Sequence, residues 1–253
     1  MTLLRSLLFN LFFYVWTSLI LVVGLPLMLG PRSWLYHLGR FWVGGIMAAL
    51  RILCGLRYEV RGLENLPDGP VLIAAKHQSA WDTLIFSLLL WDHSFVLKQE
   101  LTWIPVFGLY LLRAGLVPVD RKGGSRALRK MVAKAKHAVS QGRPIVIFPE
   151  GTRVAPGQKR PYHPGVAALY SQLGIGVVPV ALNSGLFWGR HRFAKKAGTI
   201  VLEFLPQIEP GLHRKEFLRR LETAIEERSR ALASPNHQKM LMPQAGESTQ
   251  QID

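Results

Sequence analysis

Acidic side chains are scarce in this chain. Against 31 Lys and Arg stand only 16 Asp and Glu, a formal charge of +15 with a pI near 10.4. Such a balance points to anionic partners, nucleic acid or anionic lipid. Because 49% of the residues are hydrophobic and the mean hydropathy is +0.18, the basic surface belongs to a folded chain rather than a disordered tail, and it leans towards the membrane. Cysteine is almost absent. Cys54 alone excludes an internal disulfide framework and a multi-cysteine zinc site, is compatible with a reducing compartment, and reads as a small buried apolar residue. No G-x-S-x-G elbow and no H-E-x-x-H spacing occur, so neither an α/β-hydrolase serine nor a zincin site is implied, and His37, His93, His137, His163, His191, His213 and His237 read as structural or surface residues. No internal repeat is visible.

Charge is missing altogether between Arg5 and Arg32. The segment SLLFNLFFYVWTSLILVVGLPLML exceeds the ~20 apolar residues that span a bilayer. It is too long for a signal-peptide h-region and no A-x-A site follows, so it is expected to be retained. Gly24 and Pro26 predict a kink, and Ser33 is a plausible N-cap for a second apolar segment interrupted by Arg40 and Arg51. Three arrangements fit: a full span, a hairpin dipping into one leaflet, or a hairpin buried in a soluble core.

With 253 residues, the chain has room for one main domain and an accessory segment. We divide it into a membrane-anchoring hairpin (1–56), a catalytic domain (57–233) and a polar, disordered tail (234–253). From Arg57 onward, β-rich runs (RYEVRG, PVLIAAK, SFVLK, GLVPVD, PIVIFP, GVVPVAL, TIVLEFLP) alternate with helical ones, the mark of an α/β fold with a mixed sheet flanked by helices. Three strands end in polar clusters, HQSAWD, VDRKGG and PEGTR, where open α/β sheets place ligands. A turn has no need of His, Glu and Arg together.

On a continuous helix His77 and Asp82 would point about 140° apart, at ~3.6 residues per turn. If the helix begins near Ser79 or Ala80, Asp82 falls in its first turn and can reach back to one imidazole nitrogen. The other nitrogen is left as a base. This is the base-and-orienter half of a triad without its nucleophile, which suits a reaction whose substrate brings the hydroxyl.

These blocks resemble the glycerolipid acyltransferases, the lysophosphatidate (PlsC-like) branch in particular, over about residues 57–205. HQSAWD matches the family's H-x-x-x-x-D block; LVPVDR ends in Arg121; FPEGTR carries Glu150, Gly151, Thr152 and Arg153; VVPVAL contains Pro179. The resemblance implies His77 as general base with Asp82 as its partner. It implies Lys98, Arg121, Glu150, Gly151, Thr152 and Arg153 at the phosphate-bearing acceptor, and Pro179 on the donor side. One departure is Lys76, where many members have Asn. The implied substrates are lysophosphatidate and an acyl thioester, on coenzyme A or acyl carrier protein, with no metal, no other cofactor and no nucleic-acid partner. A thioester is already activated, so no covalent enzyme intermediate is required. Backbone N–H groups near Gly151 or at the start of the helix after His77 are candidate oxyanion donors. The many Lys and Arg after the hairpin place the catalytic domain on the cytoplasmic side of the membrane.

Two other readings stand beside this one: an acyltransferase acting on glycerol 3-phosphate or another lyso-lipid, and a noncatalytic, membrane-tethered basic module. Arg126, Arg129, Lys130, Lys134 and Lys136 read as a solvated helix face able to attract anionic headgroups. LFWGRHRFAKK, residues 186–196, fits a surface loop or a membrane rim equally well.

Overall fold

The computed structural model describes residues 1–234, so the tail expected to be disordered lies, but for Ser234, outside the described residues. Two apolar helices come first, α1 (Thr2–Val23) and α2 (Arg32–Cys54), joined by a 3-10 turn over Leu25–Leu29. They run antiparallel. Cys54 Sγ lies 3.9 Å from the Arg5 carbonyl, and towards the other end Trp16 Nε1 donates to the Trp42 carbonyl (2.9 Å) while Trp42 Nε1 donates to Thr17 Oγ1 (3.0 Å). The exchange lets two indole N–H groups enter an apolar contact with partners. It requires Gly45, where an added Cβ would stand 2.7 Å from the Trp16 indole nitrogen. Gly24 and Pro26 end α1 rather than kink it, and α2 opens at Pro31 without a side-chain cap, so Ser33 is not its N-cap.

The two helices differ in what they bury. α1 leaves Leu3, Leu7, Leu11, Tyr14, Val15 and Val22 exposed and is long and apolar enough to cross a bilayer, which makes it a candidate membrane-associated segment. α2 buries Val43, Ile46, Met47 and Leu50 in the same cluster as Ile73 and Val146, so the hairpin shares its core with the α/β layer.

Next come β1 (Leu56–Arg61), β2 (Leu72–Ala75), α3 (Trp81–Leu89), β3 (Ser94–Lys98), α4 (Phe107–Arg113) and β4 (Val117–Val119). They are followed by α5 (Gly124–Ser140), β5 (Ile145–Ile147), α6 (Pro164–Leu173), β6 (Val177–Leu182), β7 (Gly198–Phe204) and α7 (Arg214–Leu232). The seven strands form one sheet in the order β1-β7-β6-β2-β5-β3-β4, parallel at every pair except β6–β7. Strand alternation divides the core: Ile73, Ala75 and Val146 face α2 and α3, whereas Leu72, Ala74 and Ile145 face α5, α6 and α7. Covered on both faces, the central strands LIAA, IVI and VVPVAL carry no polar side chain.

This topology positions the site. β6, β2, β5, β3 and β4 are consecutive and parallel, so their C-terminal ends emerge along one edge. At or just beyond those ends stand Ser184, His77, Glu150, Lys98 and Arg121. Within residues 186–196, Arg190 to Phe193 are exposed as a surface loop, whereas Trp188 and Lys195 pack on α1. Lys195 is buried there, its Nζ donating to Asn10 Oδ1 (2.6 Å) and to the Phe193 carbonyl (2.9 Å), over the rings of Phe9 and Trp188.

Candidate active site

β2 stops at Ala75, and the chain turns through Lys76–Ala80 before α3 starts at Trp81. Asp82 therefore sits in the first turn, fully buried, with its Oδ2 3.0 Å from His77 Nδ1. Oδ2 also accepts the backbone N–H of Gln78 (2.6 Å) and Ser79 (2.8 Å), and Oδ1 accepts the Ser184 hydroxyl. A carboxylate surrounded by donors stays an acceptor, so Nδ1 carries the hydrogen and Nε2 carries the lone pair. Nε2 has no protein partner among the described residues. The imidazole is held in plane by Phe148, whose ring stacks on it at 4.1 Å and 20°.

His77 opens on a cavity of about 760 Å³ that runs between α1, α2, α3, β3, α4 and α5. Its deep walls are apolar: Ile20, Leu21, Leu38, Leu84, Phe95, Phe107 and Leu111. Lys98, Arg121 and Gly151 line it with His77; Lys98 and Arg121 are exposed, and Lys98 pairs with Glu100 at 3.0 Å. Thr152 and Arg153 lie half-buried in the turn that follows Gly151 and do not line the cavity. Gly151 takes φ +65°, and a Cβ there would stand 2.5 Å from the His163 ring. His93 and His163, read above as structural or surface residues, also line the cavity. The buried His93 imidazole is held down to about 4 by desolvation and stays neutral. The basic positions of α5 from Arg126 to Lys136 are exposed, and Pro179 is buried inside β6 away from the cavity.

Glu150 faces inward rather than into the cavity. Its Oε1 pairs with Lys76 Nζ at 2.6 Å and its Oε2 accepts the His77 backbone N–H at 3.1 Å. Burial pushes its carboxyl up to about 7, against the pull of Lys76 and the His77 N–H. Lys76, the departure noted above, is itself buried and also reaches Glu226 Oε1 (2.7 Å) on α7. Sequence spacing could not reveal this, because the three residues are far apart along the chain. Of the candidate oxyanion donors four are already engaged: Gly151 N–H bonds the Phe148 carbonyl, Gln78 and Ser79 N–H bond Asp82, and Trp81 N–H bonds Ser79 Oγ.

Residues 57–183, half of the chain, match the family model described as "Acyltransferase". The chain belongs to the acyltransferase family. Within curated acyltransferases, a 1-acyl-sn-glycerol-3-phosphate acyltransferase of Pseudomonas aeruginosa is 39% identical over 163 residues, which are 64% of this chain and 62% of that protein. The human 1-acyl-sn-glycerol-3-phosphate acyltransferase alpha is 32% identical over 137 residues, 53% of this chain and 48% of that protein. The matched stretches thus span under two thirds of these relatives. The crystal structure of the 1-acyl-sn-glycerophosphate acyltransferase PlsC from Thermotoga maritima, 22% identical, superposes with a TM-score of 0.75 over 92% of this chain and 98% of that one. The acyltransferase fold, hairpin included, is therefore shared.

Proposed function

We propose that this acyltransferase moves a fatty acyl group from an acyl thioester to the sn-2 hydroxyl of lysophosphatidate, giving phosphatidate in phospholipid synthesis. The observation that carries the proposal is the His77–Asp82 pair, with Nε2 unpartnered, at an apolar cavity large enough for a long-chain ligand. The names of the Pseudomonas and human relatives support the acceptor. In this reading Nε2 takes the hydroxyl proton as the oxygen attacks the thioester carbon. A C–O ester bond forms, the C–S bond breaks, and the departing thiolate takes the proton back from the imidazolium. No cofactor is needed because the thioester brings its own activation. Lys98 and Arg121 hold the acceptor phosphate, Lys as a point charge and Arg as a fork, with Arg153 able to join only by swinging out of its turn. The apolar depth takes an acyl chain. The donor is coenzyme A or acyl carrier protein, and the α/β domain works on the cytoplasmic face of the membrane that holds α1.

Thiol release from an acyl-CoA by detergent-solubilised protein, with and without lysophosphatidate, tests the reading. Acceptor-dependent release that His77→Ala lowers by about 10²–10⁴-fold is the expected result. Release with glycerol 3-phosphate but not lysophosphatidate would change the acceptor. No release with any acyl-CoA or acyl carrier protein donor would leave the noncatalytic membrane module as the reading.

A further inference from the structure

α7 lies outside the stretch matched to the family model, yet it is wired to both members of the pair at the cavity. One arm begins at Glu226, buried on the inner face of α7 beside Ile225 and Ser229. Its Oε1 accepts Lys76 Nζ (2.7 Å) and the Tyr162 hydroxyl (3.1 Å); Lys76 Nζ donates in turn to Glu150 Oε1 (2.6 Å), and Glu150 Oε2 accepts the His77 N–H (3.1 Å). The other arm ends on Asp82. Ser229 Oγ accepts the Leu182 N–H (3.4 Å), and the Leu232 carbonyl accepts Asn183 Nδ2 (3.1 Å). These bonds fix the segment whose next residue, Ser184, donates to Asp82 Oδ1.

Stability is a poor reason for the first arm. Burying one ammonium and two carboxyls costs several kcal/mol per ion, and well-packed apolar replacements of such groups are often neutral or stabilising. What the arm supplies is geometry: a fixed peptide at His77 while Asp82 is fixed from the other side. We propose that Glu226 is a positioning residue, and that α7 acts through it as a clamp setting the pose of the His77–Asp82 pair. The effect on turnover rests on the acyl-transfer reading; the effect on the imidazole does not.

The test uses the full chain with Glu226→Gln, and Arg228→Ala as the control. Arg228 lies on the same helix and makes three hydrogen bonds to Glu203 (2.7, 2.9 and 2.9 Å) that lead to neither His77 nor Asp82. Three quantities are measured: melting temperature, kcat and KM, and the pH midpoint of carbethoxylation at His77 read by peptide mass spectrometry. The groups that set that midpoint are Asp82 on α3, Glu150 after β5, and Lys98, Asp120, Arg121 and His163 across the cavity. None of them is substituted in either variant. Glu226→Gln is expected to lower kcat about tenfold or more with KM within about twofold, the signature of lost alignment. It should also lower the His77 midpoint as the ring loses its aligned carboxylate, while Arg228→Ala lowers the melting temperature alone. A Glu226→Gln protein that, like Arg228→Ala, changes only in melting temperature would overturn the proposal. If Glu226→Gln does not fold, Tyr162→Phe removes one bond to the same oxygen: a smaller shift in the same direction supports the clamp, and wild-type kcat and midpoint overturn it. Should the wild type transfer no acyl group, the midpoint still decides.

Discussion

At the residue scale the pair is asymmetric. Asp82 gathers four donors and has no spare capacity, whereas His77 keeps one nitrogen without a partner. Replacing the carboxylate by an amide removes the charge that these donors gather around, turns an NH₂ on Ser184 even in its best orientation, and weakens the hold on the Nδ1–H tautomer and on the imidazolium formed in turnover. Asp82→Asn is therefore expected to lower kcat by about 10²–10⁴-fold with KM little changed, and to lose melting temperature as well, since each unpaired buried donor costs about 1–3 kcal/mol. Steady-state rates with a varied acceptor would separate the two effects; a Km-only change would contradict the role given to Asp82. Glu150 makes a prediction in pH. Its carboxyl ionises near 7 when folded against an ordinary value of 4.5, so the folded chain holds that proton more tightly. Its contribution to stability is thus full below about pH 4.5 and is lost as the pH rises to about 7. Glu150→Gln should flatten the fall in stability across that window, measured by urea unfolding at stepped pH; an unchanged slope would place the titration elsewhere.

At the scale of elements, Arg143 shows how connections are held. It is 3% exposed and donates to the carbonyls of Asp92, His93, Ala114 and Gly115 and to the Tyr36 hydroxyl, while pairing with Asp92. One planar fork ties α2 to the loops before β3 and β4. Arg143→Ala, which removes all of these bonds and takes the guanidinium partner from the Asp92 and His93 carbonyls while Arg32 still pairs with the Asp92 carboxylate, is expected to cost about 3–5 kcal/mol, and Arg143→Lys to recover little of it because an ammonium cannot span that many acceptors. Thermal melts of the two variants would show it; full rescue by lysine would mean that charge alone matters. Sequence pattern reveals elements and hides such ties. All seven strands and the helices after residue 57 were legible, because period-two and 3.6-residue patterns are local and their breaks fall at Gly and Pro. His77 and Asp82 were legible for the same reason, being five positions apart in one turn. Arg143, Lys195 and Glu226 were not, nor was the link from Lys76 to Glu150 and Glu226: the fold has to bring segments distant in sequence side by side before such contacts exist. Glu150 shows the limit from the other side, since its block predicted proximity to the site but not that its carboxylate would face inward.

For the molecule as a whole, two forces act at the membrane and they respond differently to salt. The formal charge of +15 attracts anionic headgroups, worth about 1 kcal/mol per Lys or Arg near the surface, within a Debye length of about 10 Å at 0.1 M salt. The exposed side of α1 supplies the other, about 25 cal/mol per Å² of apolar surface removed from water, which salt does not screen. Leu11 and Val15 lie one turn apart on that side, 61% and 60% exposed, so they can be changed without disturbing the core. Wild-type protein is expected to stay with vesicles at 1 M salt whether the lipids are neutral or anionic. The double variant Leu11→Arg, Val15→Arg is expected to leave neutral vesicles, to hold to anionic ones at low salt, and to be released as salt rises, with the α/β domain still folded. Flotation across a salt series reads all of these at once. If wild type itself floated off at high salt, charge would be the anchor and α1 would have to be seated against protein instead.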